Sequence, residues 1–155
     1  MKIIQETTFD KAKKSLKESR KNKEIVIFSS QDDDLNRKIL EKINKEEFPD
    51  ILLISLKNRR DWQKQRNSGL DNVMAKLAKK QETIIGINLD EIILEKNPKQ
   101  KSKLISRLKQ NIEICKRNKI KMKFISQKKE NIRNLQDIKS LALVLGMSTS
   151  MTKEL

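Results

Sequence analysis

Five short apolar runs constrain this chain more than anything else in it: Ile3-Ile4, Ile25 to Phe28, Ile51 to Leu56, Ile84 to Leu89, and Met122 to Ile125. They are rich in β-branched residues and do not alternate with polar ones, which is the pattern of strands buried on both faces. Between them the apolar residues change period. Phe9, Ala12 and Leu16; Leu35, Ile39 and Ile43; Val73, Met74 and Leu77; and Leu104, Leu108, Ile112 and Cys115 recur three or four residues apart, so each set lines one stripe of a helix. Strands alternating with helices predict right-handed βαβ crossovers and a parallel sheet, an α/β fold. The 155 residues suit a single domain, 1–155, and three Gly with two Pro leave no flexible linker.

The stretch NIRNLQDIKSLALVLGM, 131–147, predicts one more helix behind the last strand. Asn134 suits its N-cap, Asp137 lies in its first turn, and Gly146 suits a left-handed stop. Leu135, Ile138, Leu141, Ala142 and Leu145 would form the face docked on the sheet, and Ser148 would cap a last short helix carrying Lys153.

Lys and Arg number 36 against 21 Asp and Glu, a net charge of +15 that predicts a polyanionic partner. The excess is uneven: residues 1–62 carry fifteen basic against twelve acidic residues, and 63–155 twenty-one against nine. From Lys99 to Arg133, only Glu113 and Glu130 oppose thirteen basic residues, Arg107 among them. No run is long enough to span a membrane as a helix, and MKIIQETTFDKAKK lacks the apolar core of a secretory signal, which predicts an intracellular, cytoplasmic protein.

The chain has no histidine, so His-based acid–base catalysis, Ser-His and Cys-His nucleophiles and His-rich metal clusters are all excluded. No GxxxxGK[ST] or GxGxxG marks a phosphate cradle. Asp32, Asp33 and Asp34 precede the Leu35 helix, where capping explains acids better than Mg²⁺ does. The strand ends offer Ser29, Ser30, Ser55, Asn88, Asp90 and Ser126, a poor metal set. Cys115 completes a helix stripe and reads as core. Trp62 lies among Arg59, Arg60 and Arg66 in RRDWQKQR, where a ring stacked on an unpaired base and a packing residue are equally good readings.

Taken in order, SGLDNVMAKLAKK, IIGINLDEIIL, NIEICKRNKIK and NIRNLQDIKSLALVLGM resemble the archaeal and eukaryotic ribonuclease P protein component 3 family, strongly from Ser68 onward and weakly before it. The resemblance implies a barrel related to metal-dependent phosphoesterases that serves as a non-catalytic subunit. The RNA subunit would carry the Mg²⁺ chemistry that removes the 5′ leader from precursor tRNA, with no cofactor on this chain. Ribonuclease P RNA and ribonuclease P protein component 2 are the implied partners, and precursor tRNA an indirect one.

Arg66, Gly69 and Asp71 match the family's loop-to-helix block, Lys76 its helix lysine, Asn88 its strand-end asparagine, Arg133 and Asp137 its terminal motif, and Lys153 its last lysine. Asn72, Gln127, Leu135 and Gln136 depart from the family pattern. The basic clusters and these matches together give Arg59, Arg60, Arg66, Lys76, Arg107, Arg133 and Lys153 as candidate RNA- or partner-binding residues, with Gly69, Asp71, Asn88, Asp137 and Gly146 as structural motif positions.

Relative to that family the chain is short at its front, and five strands predict an open, partial (β/α) barrel rather than a closed one of eight. Its first strand would be an exposed edge, covered by component 2, another protomer or RNA. The opposing functional reading is a free-standing metal-dependent nuclease or phosphoesterase of the related barrel fold.

Overall fold

A computed structural model describes residues 1–22, 24–43 and 47–155. The five apolar runs form β1 (Lys2–Gln5), β2 (Val26–Ser30), β3 (Ile51–Ile54), β4 (Ile84–Asn88) and β5 (Met122–Ile125). All neighbours pair in parallel, in the sheet order β1-β2-β3-β4-β5. Each strand therefore lies beside the next one in sequence. The helices are α1 (Phe9–Lys21), α2 (Asp33–Lys42), α3 (Asn72–Lys80), α4 (Leu89–Ile93), α5 (Pro98–Asn118), α6 (Leu135–Val144) and α7 (Thr149–Thr152).

Strand side chains alternate between two clusters. Ile4, Val26, Phe28, Leu52, Ile54, Ile85, Ile87 and Met122 pack against helix residues such as Leu16, Ile39, Met74 and Leu108. Ile27, Ile51, Leu53 and Ile125, with Ile3 and Ile84 beside them, form a second cluster that contains no helix residue. Those four are nevertheless no more than 7% exposed, because the sheet curls around this face and its side chains cover one another. Gly86 permits the curl: a Cβ there would come within 2.7 Å of Ile51 Cγ2. The fold is a section of a (β/α) barrel, with helices outside and a concave inner face.

Three boundaries differ from expectation. Ile25 is 56% exposed and precedes β2, β3 ends at Ile54 rather than Leu56, and Leu89 opens α4 instead of closing β4. In α3, Val73 is 47% exposed, and Met74, Ala75 and Ala78 make the buried stripe. Six of the helices start on a side-chain cap as sequence chemistry favours: Asp32, Asp71, Asn88, Asn97, Asn134 and Ser148 accept from backbone N–H groups two or three residues further on. Cys115 is fully buried, which pushes its thiol up to about 12 and leaves it an inert core residue.

Candidate functional site

The C-terminal ends of the strands open into a cleft of about 510 Å³ lined by residues of all five strand ends, from Gln5 and Glu6 through Ser29, Ser30, Ser55 and Asn88 to Gln127. Barrels place chemistry at this end. Here the carboxylates are committed to the fold. Asp32 caps α2, and Asp33 takes both oxygens to Arg59 Nη1 at 2.8 and 2.7 Å. Glu6 accepts from the Ser15 hydroxyl at 3.1 Å. Glu91 accepts from the Ser55 hydroxyl at 2.8 Å and from the N–H groups of Leu56 and Lys57 at 2.7 and 3.2 Å. Asp90 accepts from the N–H groups of Gln127 and Lys128 at 2.7 and 3.2 Å, and from Asn131 Nδ2 at 2.7 Å. Among the described residues no three Asp, Glu or Cys side chains converge as a metal cage would require. Nor does any Lys or Arg among the described residues line the cleft.

Asp90 and Glu91, adjacent at the start of α4, thus clasp the loops leaving β5 and β3 on either side of β4. Burial works against the charge on Asp90, but the bonds from Asn131, Gln127 and Lys128 and the Lys128 charge outweigh it, so its carboxyl titrates below its usual value. A folded pKa below the unfolded one gives stability that is present above about pH 4 and is lost as the pH falls through the lowered value. Asp90→Asn is expected to lower stability at neutral pH by about 2–3 kcal/mol and to flatten the loss on acidification. Urea unfolding of both proteins at neutral and acid pH measures this; an unchanged acid limb would place the dependence on another group.

The cations lie outside the barrel. Side by side, α3 and α5 expose Lys76, Lys79, Lys80, Lys103, Lys109 and Lys116. Of these, only Lys116 has a carboxylate within 4.0 Å among the described residues, Glu113 of its own helix. At the edge of this face runs the long connection from β3 to α3, which exposes Arg60, Lys64 and Arg66.

Two of the predicted contact residues are not on that surface. Arg59 and Arg107 have side chains only 5% exposed, and both build the connection from within. Arg107 reaches out of α5 to donate to Leu56 O at 2.9 Å, Arg59 O at 2.7 Å and Asp61 Oδ1 at 3.0 Å. Arg59 donates to Ser55 O, Asp33 and Asn67 Oδ1. A buried guanidinium needs its partners to offset lost hydration, so neither is available to a phosphate. Burial raises the pKa of Asp61, but the Asn67 N–H, the bonds and charge of Arg107 and the charge of Arg66 prevail and hold it low. Gly69, at φ 78°, lies against the Arg59 guanidinium, where a Cβ would stand 2.3 Å from Cζ.

Arg60, Arg66, Lys76, Arg133 and Lys153 are exposed. Arg133 sits at the entrance to α6, its Nη1 donating to Glu130 O at 3.0 Å and Ile132 O at 3.3 Å. Asp71 and Asn88 are N-caps, and Asp137 has its N–H held by Asn134 at 2.8 Å. Gly146, at φ 104°, ends α6: its N–H meets Leu143 O and that of Met147 meets Ala142 O, the paired closure that a left-handed glycine allows.

The helix that Gly146 ends is not the fully docked shelf its composition predicts. Of α6 only Ala142 is buried, joined by Leu145 and Met147 just beyond it. Ile132, Leu135, Leu141, Leu143 and Val144 are 61%, 54%, 36%, 46% and 79% exposed. Apolar residues all round a helix do not fix which side is buried, and here the five exposed side chains leave much of that apolar surface open.

No protein-family model matches the chain, and no curated protein does. Solved structures do. A chain in a cryo-EM structure of archaeal ribonuclease P with mature tRNA matches with a TM-score of 0.76 and 19% identity, over 98% of this chain and 62% of that one. A crystal structure of an amidohydrolase matches with a TM-score of 0.58 and 13% identity, over 94% of this chain and 34% of that one. A crystal structure of an uncharacterized protein gives a TM-score of 0.53 and 12% identity over 78% and 28%. The chain thus spans less than two thirds of the length of each of these three, and the likeness is one of fold. Among the described residues no helix is long and apolar enough to cross a membrane.

Proposed function

We propose that this protein is a component 3-like subunit of ribonuclease P, a scaffold that supports the catalytic RNA in removing the 5′ leader of precursor tRNA. The observation that carries the reading is the match along 98% of the chain to a chain of archaeal ribonuclease P with mature tRNA. The distribution of charge supports it. Among the described residues, the mouth that serves hydrolysis in related barrels has no Lys or Arg in its lining and its acids accept from the fold's own backbone and side-chain donors, whereas the outer helices present lysines such as Lys76 and Lys109 with no carboxylate within 4.0 Å. The divalent ions of the reaction belong to the RNA subunit. The exposed apolar side of α6 is the surface for a protein partner, and component 2 is the partner the sequence resemblance implies.

Reconstitution with the cognate RNA and component 2 tests this. Addition of the chain is expected to raise precursor-tRNA cleavage, and log affinity for the RNA to fall with log salt by about 0.7–0.9 per phosphate contact. Robust cleavage of RNA by the purified chain with Mg²⁺ or Mn²⁺ alone would overturn the scaffold reading in favour of a nuclease. Arg133→Ala should weaken RNA-dependent cleavage or assembly by about tenfold, because its fork is fixed at a helix entrance. Lys128→Ala should change either by less than about twofold, its flexible ammonium being well exposed. Equal effects of the two substitutions on reconstituted activity would refute that ranking.

A further inference from the structure

Trp62 is 64% exposed at the crest of the connection between β3 and α3. That connection is braced rather than loose. Asp61 Oδ1 accepts the Asn67 N–H at 2.9 Å and so closes the base of the turn, and the Trp62 N–H donates to Gln65 O at 2.9 Å and closes its tip. From below, α5 holds the turn through Arg107 to Arg59 O and Asp61, Gln110 to Arg66 O at 3.2 Å, and Asn111 to Ser68 O at 3.0 Å. The indole is thus carried outward on a prepared support, beside a shallow recess of about 420 Å³ formed by residues 61–66. Arg60, Lys64 and Arg66 flank it, all exposed.

We propose that Trp62 is a stacking platform for one unpaired nucleobase of an RNA strand whose neighbouring phosphates are held by Arg60, Lys64 and Arg66. The inference rests on the reading of the chain as an RNA-binding subunit and adds to it a position and a kind of RNA. Bases within a duplex already have both faces stacked, so an outward indole can accept only a base that is splayed or single-stranded. The turn's surroundings favour nucleic acid over a protein surface. The nearest apolar residues in sequence, Leu56 and Leu70, are buried, and among the described residues the recess beside the ring is lined, apart from Trp62 itself, only by polar and charged residues.

Trp62 is the chain's one tryptophan, and there is no tyrosine, so intrinsic fluorescence reports on this ring alone. Titration of the whole chain with a single-stranded oligoadenylate should quench that emission, and a blunt RNA duplex of equal charge should quench it far less. Trp62→Ala should weaken single-strand binding about tenfold and Trp62→Phe much less, with the salt slope unchanged in both because the phosphate contacts remain. Equal quenching by strand and duplex, or unchanged single-strand affinity in a folded Trp62→Ala protein, would overturn the stacking role while leaving RNA binding intact. Emission that responds to component 2 but not to RNA would also overturn it, by placing the ring in a protein interface. Failure of the unaltered protein to bind any RNA would sink the RNA-binding reading, and this inference with it.

Discussion

Arg107→Ala is expected to lower stability by about 3 kcal/mol and to release the connection between β3 and α3. The substitution removes the donors that satisfy Leu56 O and Arg59 O, and strips Asp61 of its ion pair. Leu56 O is buried and Arg59 O partly so, and water does not replace the bond to Leu56 O without opening the turn. The Asp61 carboxylate is 31% exposed and recovers part of its hydration, which keeps the figure at the low end of buried-pair losses. Arg107→Lys should rescue little, because one ammonium cannot span three acceptors set out for a planar fork. Denaturant unfolding gives the loss, and limited proteolysis should show new cleavage within residues 57–71. A fall below about 1 kcal/mol with an unchanged cleavage pattern would mean that the turn holds itself together.

The second large effect is expected at Gly69. Alanine there meets two penalties: a backbone at φ 78°, which L residues adopt at a cost of about 1 kcal/mol, and overlap with Arg59. A guanidinium at the tip of a free side chain would swing aside. This one is pinned to Asp33, Ser55 O and Asn67 and has nowhere comparable to go. Gly69→Ala should therefore lose about 3 kcal/mol in urea unfolding. The two penalties separate in the Arg59→Ala background, where the overlap vanishes and only the backbone term of about 1 kcal/mol remains for Gly69→Ala. Equal losses in both backgrounds would show that the contact with Arg59 contributes nothing.

Most of the architecture was legible in the sequence because a parallel sheet buries both faces of its strands, and unbroken runs such as ILLISL have no other use in a chain of this charge. The missed helix, α4, follows β4 directly: Leu89, read as the last residue of the apolar run from Ile84, opens the helix that Asn88 caps. The charged residues were read less well. Arg107 lies on the Leu104, Leu108, Ile112 stripe by spacing, a signal that it points inward, but charge alone suggested the surface. Arg59 carries no such signal, since its partner Asp33 is 26 residues away. The clasps of Asp90 and Glu91 were invisible for the same reason, their acceptor roles being set by chain 34 to 41 residues distant. For α6 the composition was right and the burial wrong, because what covers a helix depends on its neighbours and not on the helix itself.

Sheet order that follows chain order has a consequence for synthesis. Every strand after the first finds its pairing partner already made, so a ribosome delivers this sheet in the sequence in which it can assemble. Among these five strands no earlier one has to wait for a later one before pairing with its predecessor, and the span of chain closed at each step stays local, which keeps the entropic toll of each closure small. A nascent chain of this kind can gain order unit by unit as it emerges, with the exposed α6 surface appearing only near the end, when the rest of the barrel section already stands.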